Sequence, residues 1–462
     1  MYKIKILTLL FFSCQLMQAQ SLKDYKISKV YSESEAKENV FESISGIKSI
    51  DFNDINKNFS NVQDLYWLKQ VAQNNKIVLI GETHYSKNIE NIKNRIIFAL
   101  NNFDYFPLII IEREYSVTPY LNHFINLKNE NDAKSFFNKE LSTKLNTVED
   151  SIFIEHIRNW NIKNPKKNIK LGCIDLEWSW DEIMEDVLMP YFIKLDDIDK
   201  SEIDKIFEIG LNQSDDFFIR IEPLIKKAEE QNLIGEYSFV NIEYVKNVIE
   251  SISTTFKAMS LSSWWEYFRQ KEIAKRVTNQ RYFGEYFKNQ KVIMYGGGNH
   301  MKSKHYYGVD DNFISEGSYL NFDNKPTKGK VYSIMLNGIS FSLGEMKDVN
   351  LNDAIIQGTQ YKKITNRMQK AYKEGLLNPD ENYFLFGFRN EFEKFIFSKS
   401  YQYKDSGIVI PDKVWNEIVN VSIQLSNDIQ MTVEMENESR NDYDEYVYIP
   451  YSPLTIARKN VW

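Results

Sequence analysis

Lys76-Ile77-Val78-Leu79-Ile80-Gly81-Glu82-Thr83-His84 carries an apolar, β-branched run into a glycine, then a carboxylate and an imidazole. A short run of this kind stopped by glycine predicts a buried strand ending in a tight turn. Past the turn stand two groups able to move protons near neutral pH. In open α/β sheets, residues just beyond the carboxyl ends of strands line the ligand crevice. A lone histidine at a strand end is more often a satisfied structural residue, so His84 needs support from other strand ends.

That support lies further along the chain. Residues Lys87–Asn101 place Ile89, Ile92, Ile96, Ile97 and Leu100 at helical spacing, the pattern of an amphipathic helix. Phe106-Pro107-Leu108-Ile109-Ile110-Ile111 then reads as a second buried strand ending at Glu112. Strand, helix and strand in this span form a βαβ unit, whose right-handed crossover leaves the two strands parallel. His84 and Glu112 are therefore expected on one edge of the sheet. The pattern recurs at Ile169–Ile174, which runs into Asp175, Glu177 and Trp178, and at Lys291–Tyr295, which runs into Gly296-Gly297-Gly298-Asn299-His300.

These elements predict an α/β fold with a mainly parallel central sheet flanked by helices. Residues from about 180 to 290 carry apolar positions at three- and four-residue spacing with few glycines, which predicts a large helical insertion. Strand-like runs follow at 330–336 and 339–343, helical material at 353–372 and 383–397, and a final strand at Tyr446–Pro450. No internal repeat or low-complexity tract interrupts the chain.

The 462 residues exceed a usual single core. The expected division is a signal peptide over 1–20, a polar lead-in over 21–62 and a main domain over 63–462. Lys3 and Lys5 precede an apolar stretch from Ile6 to Leu16, with Ala19 near its end. A basic start, a short apolar core and a small residue describe an export signal, so the expected location is periplasmic or extracellular. Cys14 offers a lipid-anchored alternative behind a weak lipobox. No later run is long and apolar enough to span a bilayer. After cleavage Cys173 is the remaining cysteine, which excludes an intrachain disulfide. A formal charge of -7 gives no electrostatic footprint for nucleic acid or an anionic membrane.

The candidate site is His84, Glu112 and His300, with Glu82 and Asp175 near. Two imidazoles and a carboxylate can supply a base for water, a partner to orient it and an acid for a leaving group. The same set suits a divalent metal. The glycines before His300 allow backbone amides to approach a ligand or an oxyanion, or simply form a turn. Phosphate-loop, nucleophile-elbow and His-Glu-x-x-His patterns are missing. Cys173 reads as core, and His123, His156 and His305 as structural or surface residues. The Ser262–Trp265 stripe reads as helix packing. Arg269–Ala274 reads most simply as a solvated helix face, and more sharply as an Arg aimed into the crevice.

Taken together, these residues resemble the erythromycin esterase family. Its strand-end turn is resembled by Gly81-Glu82-Thr83-His84, its next strand-end glutamate by Glu112, and its Arg-bearing helix by Arg269 with Ala274. Its late turn is resembled by Gly298-Asn299-His300, and its closing segment by Tyr446–Leu454 with Pro450 and Pro453. The resemblance runs in order from Lys76 to Ile456. It implies a hydrolase that opens an ester or lactone with activated water and forms no covalent intermediate. His84 would be the base, Glu112 its orienting partner, and His300 would protonate or polarise the leaving oxygen. Arg269 and Asn299, with Glu82 and Asp175, would bind the substrate side. No cofactor is then required, although a divalent metal stays possible, and the partner is a small ester or lactone substrate bound by a monomeric protein. Macrolides, and with them antibiotic resistance, belong to the best-known activity of the family. Related folds bind haem or use a metal for hydrolysis and peptide cleavage, which keeps a non-catalytic ligand-binding reading and a metallohydrolase reading open. The chain departs from the family at Tyr85, where glycine is usual, at Gln270 for Asp, at Ile273 for Met, and at Met301, where a second histidine often follows.

Overall fold

Ile77, Val78, Leu79 and Ile80 are fully buried, and the strand that holds them lies mid-sheet. The computed structural model describes residues 48–51, 62–355, 358–375, 384–385, 406–409, 442–449 and 452–459, apart from 146, 197, 211–213, 262–264, 305–314 and 339. The signal-peptide stretch, most of the lead-in, most of the Ser262–Trp265 stripe and His305 lie outside the described residues.

The main sheet has eight strands: β1 Lys48–Asp51, β2 Ile77–Glu82, β3 Leu108–Glu114, β4 Lys170–Asp175, β5 Val292–Gly297, β6 Val331–Gly338, β7 Ser406–Val409 and β8 Glu445–Ile449. Their order is β1-β7-β8-β6-β2-β5-β3-β4. The six from β8 to β4 are mutually parallel, while β1 and β7 add an antiparallel edge. The fold is α/β, with helices flanking a mostly parallel sheet.

Strand order sharpens the βαβ reading. β2 and β3 are parallel but not neighbours, because β5 lies between them and pairs with both. Gly81 stands beside Gly296, Glu82 beside Gly297, and Ile111 beside Tyr295. Three of the four strand ends singled out by sequence thus abut directly. β4 completes the group through β3, where the register shifts between Ile111 and Glu114. Such a bulge re-aims side chains, and here it falls at Glu112.

Helices cover the sheet for the reason their patterns give. α1 Lys87–Phe103 starts at Ser86, whose Oγ accepts from the Ile89 N–H, an ordinary N-cap. It buries Ile89, Ile92, Ile96, Ile97 and Leu100. α2 Val148–Lys163 starts with a capping box between Thr147 and Asp150. Every named element between Trp180 and Asn289 is a helix, including α3 Ile242–Ser260 and α4 Trp265–Thr278. α5 Gly358–Lys373 sits in a second apolar cluster with Phe341, Leu343, Met346 and Leu454. Within the described residues, no helix is long and apolar enough to cross a membrane.

Two local expectations differ. Lys48–Asp51, inside the stretch read as a lead-in, is a sheet-edge strand paired with Ser406–Val409. That pairing reaches far along the chain and leaves no local periodicity to read. Phe384–Leu385, inside the 383–397 stretch expected to be helical, pairs with Ser340–Phe341 as a strand; the remainder of that stretch lies outside the described residues.

Candidate active site

The end of β2 buries Glu82, and the turn after it places His84 at the cleft. Glu82 is buried and accepts from Lys93 Nζ at 3.0 Å through Oε2, while its Oε1 meets His84 Nδ1 at 3.2 Å. Burial pushes the Glu82 carboxyl up, but the Lys93 ammonium and the His84 hydrogen bond outweigh it and hold the group at about 2. Glu82 is thus an anion fixed against one ring nitrogen. With Nδ1–H donating to Glu82, Nε2 keeps the lone pair. Desolvation pulls His84 down, yet the hydrogen bond and charge of Glu82, with the charge of Glu112, raise it above the ordinary histidine value. Its side chain is 45% exposed.

Glu112 closes the opposite side. Its Oε2 accepts from the Gly297 N–H at 2.5 Å, and its Oε1 meets Arg269 Nη2 at 2.7 Å and His300 Nε2 at 3.0 Å. Burial opposes ionisation, but His300, Arg269 and His84 drive the carboxyl well below its usual range. Gly297 explains why glycine ends β5. A Cβ there would stand 2.9 Å from His84 Nε2 and 3.3 Å from Glu112 Oε2. His84 Nε2 and Glu112 Oε2 therefore border the same point, which a side chain would fill. This also changes the expected role of the glycines, since the Gly297 amide serves Glu112.

His300 sits in the helical turn Gly298–Met301 and is buried. Its Nδ1 meets both oxygens of Glu316 at 3.0 Å, and its Nε2 meets Glu112. Burial alone would lower its pKa, but the two carboxylates lift it well above the histidine norm. Both ring nitrogens are then donors, so Arg269 Nη1, 3.2 Å from Nε2, is a neighbouring cation. Arg269 itself is buried and grips Asp175 through Nε at 2.8 Å and Nη2 at 2.7 Å.

The structure therefore brings Glu82, His84, Glu112, Asp175, Arg269 and His300 together. It does not bring Asn299, which is exposed and does not line the cavity. The solvated-face reading of Arg269–Ala274 is corrected: Arg269, Gln270, Ile273 and Ala274 are all buried. Cys173 is core, its thiol pushed up to about 12 by burial. His123 packs among Phe136, Tyr237 and Phe239, and His156 against Phe98.

The cavity at these strand ends measures about 160 Å³ and is lined by His84, Tyr85, Glu112, Asp175 and Thr455, among others. Its floor holds residues that sequence reasoning missed. Lys93 bonds Glu90 at 2.6 Å as well as Glu82, and its ammonium lies 4.0 Å from the Tyr295 ring centroid. Burial, less the pull of Lys93, lifts Glu90 to about 8. Lys93 had a signal: it stands four residues after Ile89, on the apolar stripe of α1. Glu316 had none, lying 16 residues beyond His300. Among the described residues no group of three or more His, Cys, Asp or Glu is arranged to hold a metal ion.

No family model matches the sequence, and no curated protein matches it by sequence. Solved structures do. A succinoglycan biosynthesis protein is similar over 90% of this chain and 98% of its own, at 14% identity and a TM-score of 0.51. A Bacillus cereus protein is similar over 94% and 100%, at 12% identity and 0.51. A mutant of the erythromycin esterase EreC in its open conformation covers 88% and 98%, at 10% identity and 0.47. At identities this low, the first two speak to the fold alone.

Proposed function

We propose that the chain is a hydrolase in which His84 activates water to open an ester or lactone, with no covalent acyl intermediate. The observation that carries this reading is His84 Nε2: the other ring nitrogen is fixed by Glu82, and Nε2 borders the point shared with Glu112. A water held there can give its proton to Nε2 as it attacks a carbonyl carbon. The resulting imidazolium lies between two ionised carboxylates, Glu82 and Glu112, which stabilise its charge. The same imidazolium then returns the proton to the leaving oxygen.

His300 does not line the cavity and acts as a positioning residue for Glu112 rather than on the leaving oxygen. Both its nitrogens are already committed to carboxylates, and with Arg269 it supplies fixed positive charge behind Glu112. Arg269 positions Glu112 and Asp175. Among the described residues the hydrogen-bond partner of His84 is the Glu82 carboxylate, and Cys173 is sealed in the core, which favours direct attack by water. The test is a hydrolysis screen of esters and lactones with the parent and the His84→Ala variant. Turnover by the parent that the folded variant lacks supports the reading. Equal turnover sinks it. A visible Soret band that disappears in His84→Ala, without hydrolysis by the parent, would replace it with haem binding.

A further inference from the structure

We propose that Tyr85 limits the size of the group admitted to the His84 cleft, and that the substrate is a compact ester or small-ring lactone rather than a macrocycle. The proposal rests on the hydrolytic reading above and names the substrate class of that same site.

The backbone at Tyr85 has φ of +75°, in the left-handed region. Among the described residues the other non-glycine with positive φ is Asn232. Asparagine tolerates that region, whereas a bulky aromatic there is a genuine outlier that persists because its surroundings enforce it. Glycine would make the same turn without strain. The ring must therefore supply something that the turn itself does not need.

Its surroundings show what holds it. The Tyr85 ring stacks on Tyr361, with centroids 4.7 Å apart and planes 6° from parallel. Tyr361 is fully buried on α5, and its hydroxyl donates to the Thr455 carbonyl. The Thr455 N–H donates to the Tyr85 carbonyl at 2.9 Å, and Ser86 Oγ donates to Ser452 Oγ at 2.8 Å. The turn and its ring are thus clamped onto the second apolar cluster, and the ring cannot swing aside without breaking the stack. Tyr85 also borders the cavity, its ring centroid 5.9 Å from that of His84. At about 160 Å³ the cavity is well below the roughly 300–1,000 Å³ of ordinary ligand pockets. The strained residue forms part of the wall of this small cavity.

The experiment uses the full chain with p-nitrophenyl acetate, p-nitrophenyl decanoate, δ-valerolactone and a macrocyclic lactone. The parent should favour the small member of each pair in kcat/KM. Tyr85→Gly and Tyr85→Ala should reduce that preference by at least about tenfold, the scale on which pocket shape discriminates, chiefly through KM for the large member. Tyr85→Phe, which retains the ring, should keep the preference, and Tyr361→Ala should weaken it. Calorimetric binding of the neutral amides acetamide, butanamide and decanamide provides a readout independent of turnover: the parent should bind the short amides, and Tyr85→Gly should also bind decanamide. If the parent hydrolyses none of the esters or lactones, the hydrolytic reading fails while the binding series still decides the wall. A parent that shows no size preference in either assay, or a Tyr85→Gly variant that keeps the parent preference in both, overturns the proposal.

Discussion

The turns after β2 and β5 each deliver a histidine to the same sheet edge, and the two histidines end in opposite states. His84 is half-exposed, with one nitrogen tied to a carboxylate and the other facing the cleft. His300 is buried, with a carboxylate on each nitrogen. One carboxylate orients an imidazole and leaves it a base; two convert it into a fixed cation. Residue type and strand-end position are the same at both, so partner count decides the role.

The largest way to break this comparison is at the free nitrogen. His84→Ala should cost about 10²–10⁴ in kcat/KM, the usual worth of a positioned proton-transfer group, with little change in thermal midpoint because the side chain is half-exposed. His300→Ala should instead act on folding. It leaves the buried Glu316 without its cation, while Glu112 keeps Arg269, a loss of about 3–5 kcal/mol by the usual cost of breaking a buried pair, read as a fall in urea midpoint.

Isosteric changes that remove a charge sharpen it. A histidine raised in the fold adds stability that is fully present below its unfolded value of about 6.5 and is lost as pH rises through the folded value. Glu316→Gln removes one source of the His300 elevation, so the alkaline loss of stability should move to lower pH in urea melts. Glu82→Gln removes the largest elevating influence on His84. The acid limb of kcat/KM, set in the parent by a base above the ordinary histidine value, should move downward, and turnover should fall through loss of orientation. The smallest effect belongs to Asn299→Ala. An exposed side chain outside the cavity should leave kcat/KM within about twofold, the scatter of ordinary surface changes.

Much of this site is legible in the sequence because parallel strands put their ends on one edge. Ile80, Ile111, Ile174 and Tyr295 each end an apolar run, and the groups just beyond them converge in space. Strand order is not legible. Nothing near Lys291 says that β5 lies between β2 and β3, yet that placement brings Gly297 against both His84 and Glu112. Arg269 divides two readings until β4 is seen to place Asp175 beneath it. Asn299 adjoins His300 in sequence but faces outward, because the helical turn Gly298–Met301 rotates successive side chains apart. Glu316 is reached by a return of the chain that no local pattern announces. Lys93 is the opposite case: a charge on an apolar helix stripe is visible in the sequence and marks a buried ion-pair partner.

The most direct measurement is a ¹⁵N-histidine NMR titration of the full chain, with signals assigned through the single His84→Ala and His300→Ala variants. His84 should titrate with a midpoint above the ordinary histidine value and, once neutral, carry its proton on Nδ1. His300 should remain doubly protonated beyond the pH at which His84 has become neutral. A His84 that carries its neutral proton on Nε2, or a His300 that is neutral while His84 is still charged, would contradict the account.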